Sequence, residues 1–311
     1  MVDPMRFEPG QTRARRRRVR GVLQALRPGR FYLYLTPTFA FLAVFAYYPP
    51  LLAFYRSFYD WDGVRIEKWA GIGNYVNMFH DEVLLRSVWN LAQLTVFAVA
   101  VSVVFPLLTA ELICSLRNRR AQFWHRVLLV VPMVVPIMVQ LLLWKFIYDP
   151  NVGLLNALLR LVRIPSQAWL HEPKLALYSM MFMAFPFVGA INVLIFLAGL
   201  NNIGQPVFDA AKIDGASVIQ RFFRIDVPLV KGQIKLIVIL TIIGTLNGYG
   251  TQLILTDGGP GYSTMVPALR MYQQAFRFNH LGYACAIGMA LFAAIFGLTF
   301  INMKLMRTDY E

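Results

Sequence analysis

The side chains with chemistry to offer lie inside apolar surroundings. Asn90 and Gln93, Gln140 and Trp144, Asn192, and the group Asn247, Tyr249 and Gln252 are set within long uncharged stretches. Gln140 and Trp144 are four residues apart and share one face if the segment is helical. An aromatic ring beside amide donors suits a polyhydroxylated ligand, stacking on its apolar face and bonding its hydroxyls. The same amides also serve as glue between membrane helices. Gln140, Trp144, Asn247, Tyr249, Gln252 and Asn90 are therefore the candidates for a ligand path. Other chemistries find no support. Cys114 and Cys285 match no metal or redox spacing, and His80, His125, His171 and His280 form no ligand pair. Gly258-Gly259-Pro260-Gly261 lacks the Lys-Ser/Thr that completes a phosphate-binding loop. No catalytic residue, metal site or bound cofactor is expected on this chain.

Membrane spans must hold these residues. The chain has 311 residues, 58% hydrophobic and only 15% charged, whereas soluble domains are about 45–50% apolar and about 25% charged. Six windows, 31–55, 87–110, 127–144, 175–208, 236–256 and 278–303, contain no Asp, Glu, Lys or Arg. A transmembrane helix needs about 20 such residues. The expected fold is all-α: a polytopic bundle of six transmembrane helices over 31–54, 87–116, 127–148, 175–197, 234–255 and 281–303. Pro49-Pro50 should end the first span, and Pro132 and Pro136 lie inside the third. The segments between spans are too short for a soluble domain of about 50–250 residues. No inverted repeat is evident.

Charge orients the bundle. The net charge is +14, and residues 1–30 form a basic arm with a run of arginines from Arg13 to Arg20. In a membrane protein such a run marks the cytoplasmic side and meets anionic lipid, so nucleic acid is not expected as a partner. The arm lacks the apolar region of a signal peptide. With both termini in the cytoplasm, twenty of the thirty Lys and Arg fall inside, as the positive-inside rule requires. Residues 31–311 form the six-span domain, and 201–231 then form a cytoplasmic loop.

That loop carries a pattern. Pro206 suits a first helical turn, Asp209 complements the positive end of the helix dipole, and Gly215 can reverse the chain. Val218, Ile219, Phe222 and Phe223 give a second apolar stripe. Two short amphipathic helices meeting at a glycine are too small to fold alone and must dock on something. The loop resembles the EAA loop of the membrane subunits of ATP-binding-cassette importers: Glu-Ala-Ala, three residues, Gly, nine residues, Ile, one residue, Leu-Pro. Here Asp209-Ala210-Ala211, Gly215, Ile225 and Val227-Pro228 stand at those spacings, with Asp in place of Glu and Val in place of Leu. Asp is one methylene shorter, which alters the reach of that acid. The resemblance narrows to carbohydrate permeases of the maltose-transporter type through Tyr148-Asp149-Pro150, Gly153-Leu154-Leu155-Asn156, Leu255-Thr256-Asp257-Gly258-Gly259-Pro260 and Gly282-Tyr283-Ala284.

The resemblance implies an inner-membrane permease subunit of a bacterial carbohydrate importer. Its implied partners are a second, related permease, two ATPase subunits that carry ATP and Mg, and an extracytoplasmic solute-binding protein. It also assigns Phe208, Asp209, Ala210, Ala211, Asp214, Gly215, Ala216 and Ser217 to ATPase coupling. Import of another polar solute, a polyol or glycerol phosphate, is the alternative. A secondary transporter would need an intramembrane acid, and Glu111 lies near the end of its span.

Overall fold

Long apolar runs broken by proline and glycine fold here into long helices and bent helix pairs. A computed structural model describes residues 28–64 and 68–305. The basic arm up to residue 27 and the tail from 306 lie outside the described residues. Two units separate by contact, 1–55 and 56–311.

The described part of the first unit is a continuous run of helix. It comprises α1 (Pro28–Phe41), a π-helical segment Leu42–Tyr47, and α2 (Tyr48–Arg56). The expected stop at Pro49-Pro50 does not occur. The prolines fall in the first turn of α2, directly after the π-helical segment, where the hydrogen-bond ladder is already shifted and a missing N–H costs little.

The second unit opens with a short antiparallel pair, β1 (Tyr59–Asp60) and β2 (Lys68–Trp69), followed by α3 (Gly73–Met78). α4 (Glu82–Ser115) starts earlier than the charge pattern implied, because Asp81 caps it by accepting the Leu84 N–H at 3.0 Å. At roughly 1.5 Å per residue, its 34 residues exceed the ~30 Å hydrocarbon core, so both ends emerge. α5 (Arg119–Val130), a 3₁₀ turn at Val131–Val134 and α6 (Ile137–Ile147) follow, then α7 (Leu154–Leu161). α8 (Ala176–Phe182), α9 (Ala190–Asn201), α10 (Gln205–Ile213) and α11 (Val218–Arg221) lead into a π-helical Phe222–Asp226 and α12 (Val227–Leu229). α13 (Lys231–Asn247), α14 (Gly250–Leu255), α15 (Pro267–Phe276) and α16 (Leu281–Leu305) complete the described chain.

Three described helices, Tyr34–Arg56, Glu82–Ser115 and Leu281–Lys304, are each long and apolar enough to cross a membrane, and the count reaches up to six if each of three bent pairs is one span. The bends revise the expected continuous spans. Arg119–Val134 meets Ile137–Ile147 at 86°, because Pro132 and Pro136 remove two ladder donors. The expected span 175–197 is split by the non-helical 183–189, which contains Pro186 and Gly189. The span expected to run unbroken to residue 255 stops at Asn247 and restarts at Gly250. Gly248 is extended (φ −72°, ψ 126°) and Tyr249 leaves helical geometry (φ −142°, ψ −13°), which breaks the ladder before Gly250.

α4, α9 and α13 form one buried contact, built from Leu107, Ala110 and Ile113 against Val193, Phe196, Leu197, Leu200, Val230 and Ile237. In lipid, van der Waals packing and interhelical hydrogen bonds hold such a contact, not release of water. Asn192 supplies one bond, donating to the Ser102 carbonyl at 3.2 Å, and the Thr241 hydroxyl donates to the Ser102 Oγ at 3.0 Å. Elsewhere α16 is joined to the β-pair at Gly282, whose N–H donates to the Trp61 carbonyl at 3.0 Å. A Cβ on Gly282 would collide with the Tyr59 carbonyl oxygen, so only glycine permits that approach.

Candidate translocation cavity and coupling loop

The three helix interruptions meet at one place. A cavity of about 580 Å³ is bounded by α4, the first turn of α6, Met180, Met181 and Ala184 beside the second break, and Gly248-Tyr249-Gly250 at the third. Irregular backbone at membrane depth is tolerated where it lines a cavity or is buried in protein. The cavity supplies that reason. Its polar lining is Ser102, Thr241, Thr245, Tyr249, Thr251 and Gln252, among apolar Leu94, Phe97, Met138 and Leu141, with no ionisable acid or base. Hydroxyls and an amide beside aromatic and thioether surface can bind a neutral polar solute.

The candidates read from sequence divide here. Tyr249 and Gln252 line the cavity. Tyr249 stacks on Tyr272, ring centroids 5.6 Å apart. Gln140, Trp144, Asn247 and Asn90 are not among the lining residues. Gln140 donates its amide to the Val135 carbonyl at 2.9 Å, serving the break in its own span. Trp144 packs against Tyr148 and Phe182. Asn247 is exposed and donates to the Ile243 carbonyl. Asn90 is buried and donates to the carbonyls of Tyr262 and Met265, both at 3.0 Å. Sequence reasoning missed the hydroxyls Ser102, Thr241, Thr245 and Thr251, because small hydroxyls inside apolar spans resemble ordinary helix residues. Thr245 does bond its own helix, at the Thr241 carbonyl.

Beside the cavity, sharing Ile254, is a polar recess of about 390 Å³ lined by Lys145, His171, Thr256, Asp257, Gly259 and Pro260. The glycine-rich loop forms its wall. Asp257, Gly258, Gly261 and Tyr262 all take positive φ, and the Gly259-Pro260 bond is cis. Asn90 holds this turn from α4, and the Thr264 hydroxyl donates to the Gly259 carbonyl at 2.9 Å. Nearby, Asp81 receives both Arg270 and the Tyr283 hydroxyl on Oδ2 at 3.0 Å, tying α4, α15 and α16 together. The Asp149 carboxylate accepts the N–H groups of Val152 and Asn151, which hold its pKa below the usual aspartate value.

At the opposite end of α4 sits the loop 201–231. α10 begins with proline in its first turn and ends at Gly215, φ +67°. Ala216 N–H donates to the Ala211 carbonyl and Gly215 N–H to the Lys212 carbonyl, the paired bonds of a Schellman termination. Ser217 and Gln220 then form a capping box that starts α11. The loop thus has the helix–glycine–helix form that its spacing predicts. Asp209, Ala210, Asp214, Gly215 and Ser217 are exposed, whereas Ala211 is buried and Phe208 and Ala216 are half-buried. Those last three face their own subunit, so Ile213, 86% exposed, joins the outward set, with Val218 and Ile219 beyond it. Asp209 accepts from Gln205 and pairs loosely with Lys212 at 3.8 Å.

A largely helical membrane chain with a mostly apolar cavity at its helix breaks, edged by hydroxyls and an amide, and an exposed helical loop at one end is a transport permease. The chain belongs to the family of binding-protein-dependent transport system inner membrane components, matched over residues 102–304. It is 32% identical over 284 residues to the probable ABC transporter permease protein YurN of Bacillus subtilis (strain 168), covering 90% of this chain and 97% of that one. It is 29% identical to the diacetylchitobiose uptake system permease protein NgcF of Streptomyces coelicolor, covering 85% and 78%. A crystal structure of a bacterial ABC transporter involved in alginate import has the same fold, with TM-score 0.80, 18% identity, and coverage of 94% of this chain and 100% of that chain.

Proposed function

We propose that this chain is one of two permease subunits in an ATP-driven importer of neutral sugars or oligosaccharides. The carrying observation is the cavity of about 580 Å³ at the three helix breaks, mostly apolar, edged by hydroxyls and one amide, and without Asp, Glu, Lys, Arg or His. A sugar delivered by an extracytoplasmic binding protein enters past the polar recess at Thr256 and Asp257. It passes the cavity when the helices move, and leaves on the side of the loop 201–231. The outward face of α10 seats in an ATPase subunit, and ATP and Mg stay on that partner. A relative named for diacetylchitobiose uptake supports a saccharide substrate. Both termini lie in the cytoplasm of a bacterial cell, where the positive-inside count places them. The test is a thermal-shift screen of neutral, acidic and basic saccharides on the cognate binding protein, followed by uptake of each hit by the assembled complex. Uptake of neutral saccharides is expected. Uptake confined to charged solutes would refute the neutral reading.

A further inference from the structure

The charges beneath the loop form a cluster that docking alone does not require. Arg221, at the end of α11, is bonded to two carboxylates at once. Its Nη2 lies 3.1 Å from Glu111 on α4, and its Nε lies 2.9 Å from Asp226 in the π-helical segment that leads to α13. The guanidinium also lies over the Phe208 ring of α10, 5.3 Å from the centroid. Asp226 is fully buried, and the Glu111 side chain is 13% exposed. Each keeps one buried oxygen, Glu111 Oε1 and Asp226 Oδ1, that accepts no hydrogen bond among the described residues. Arg221 is the cation that both acids share. Without it, two buried acids at this spacing take up a proton between them and lose their charged tie to the loop.

Glu111 belongs to α4, Asp226 precedes α13 by the short α12 and a 67° bend, and α4 and α13 meet again at the cavity. Glu111 is nine residues along α4 from Ser102, roughly 13 Å at 1.5 Å per residue, and the Ser102 Oγ receives the Thr241 hydroxyl of α13. We infer that Arg221 is a charge clamp: seated, it ties α4 to the segment 222–226 that leads into α13, and drawn out with α10, it releases that tie and lets α4 and α13 part at the cavity. Phe208 is the contact through which α10 carries Arg221. This makes Arg221 a positioning residue of the translocation cycle, and the inference rests on the proposed docking of α10 to an ATPase.

The test uses the complete importer with spin labels on Leu112→Cys of α4 and Leu236→Cys of α13, both exposed positions, in a background without Cys114 and Cys285. Variants on either side of the bridge are predicted to act in the same direction, and a variant that keeps the cation to act in neither. Arg221→Gln should widen the label distance without nucleotide and lower solute moved per ATP hydrolysed about tenfold, within the usual 5–150-fold of coupled sites. Glu111→Gln with Asp226→Asn should widen it likewise and show no further widening with nucleotide, whereas Arg221→Lys should stay near the natural distance. A purely structural bridge would leave the distance and its nucleotide-driven widening intact in all three, and that result overturns the clamp. If Arg221→Gln fails to fold, the double variant decides alone, and a normal widening with it overturns the clamp. Retention of the ATPase on the complex separates the two ideas: its loss from a complex altered only at Ala210 bears on docking and not on the clamp.

Discussion

At the scale of single residues, the account separates side chains that meet solute from side chains that hold the frame. Tyr249→Ala and Gln252→Ala remove cavity groups, so each should lower uptake about tenfold, a loss of roughly 1.4 kcal/mol, while the complex still assembles. Asn247→Ala, outside the cavity, should transport normally. Asn90→Ala should act on stability, because it strands two carbonyls at about 0.5–1.5 kcal/mol per lost bond. Thermal unfolding in detergent should fall while the affinity for solute holds. Asp149 gives a pH signature. Its carboxyl is held below the usual aspartate value by two backbone N–H groups, so its stabilisation of the turn is present above the unfolded pKa. It is lost as pH falls through the depressed folded value. The protection factor of the Val152 amide should fall over that window in the natural chain and show no such fall in Asp149→Asn. The six amide and aromatic candidates were legible as polar groups in apolar spans. Which of them reach the cavity was not, because Asn90 and Gln140 satisfy carbonyls 172 and 5 residues away that no spacing rule connects to them.

At the scale of elements, the loop 201–231 was the most legible part of the fold. Proline at one end, glycine in the middle and Ser217 before an apolar stripe are local signals, and local hydrogen bonds decide that structure. The broken spans were less legible. Pro132 and Pro136 announce a break, but Gly248 and Gly250 do not, since glycine is common in continuous membrane helices. The continuous helix expected from the coupling loop to residue 255 is interrupted at the position where Tyr249 enters the cavity. Motion of the loop therefore reaches Thr241 and Thr245 through α13 and reaches Gln252 across a flexible joint. Gly215→Ala should destabilise the loop by roughly 1–2 kcal/mol, the cost of a Cβ at positive φ, and should lower uptake without reducing insertion. Ala210→Arg places a long cation on the outward face of α10, leaving buried Ala211 untouched. It should release the ATPase subunits during purification, and undiminished retention would move the docking surface elsewhere.

At the scale of the whole molecule, the proposed orientation puts the loop 201–231 in the cytoplasm and residue 174 outside. A cysteine at Ile213 should react with impermeant thiol reagents only from the cytoplasm, and one at Lys174 only from outside. Both positions are exposed, unlike buried Ser263, so absence of labelling reports sidedness and not burial. The charge count is the basis of this orientation, and hydropathy marked the apolar segments that fold into the long helices and bent pairs. The bent pairs needed the folded chain, because a length count cannot distinguish one crossing from two short helices. The central claim is that ATP on a partner subunit drives solute through this cavity. It is tested most directly by uptake into proteoliposomes holding the full complex, with ATP enclosed on the Ile213 side and every ion gradient collapsed by ionophores. The account predicts uptake that requires ATP, survives the ionophores and disappears with Ala210→Arg. Uptake that runs without ATP and stops when the gradients collapse would contradict it.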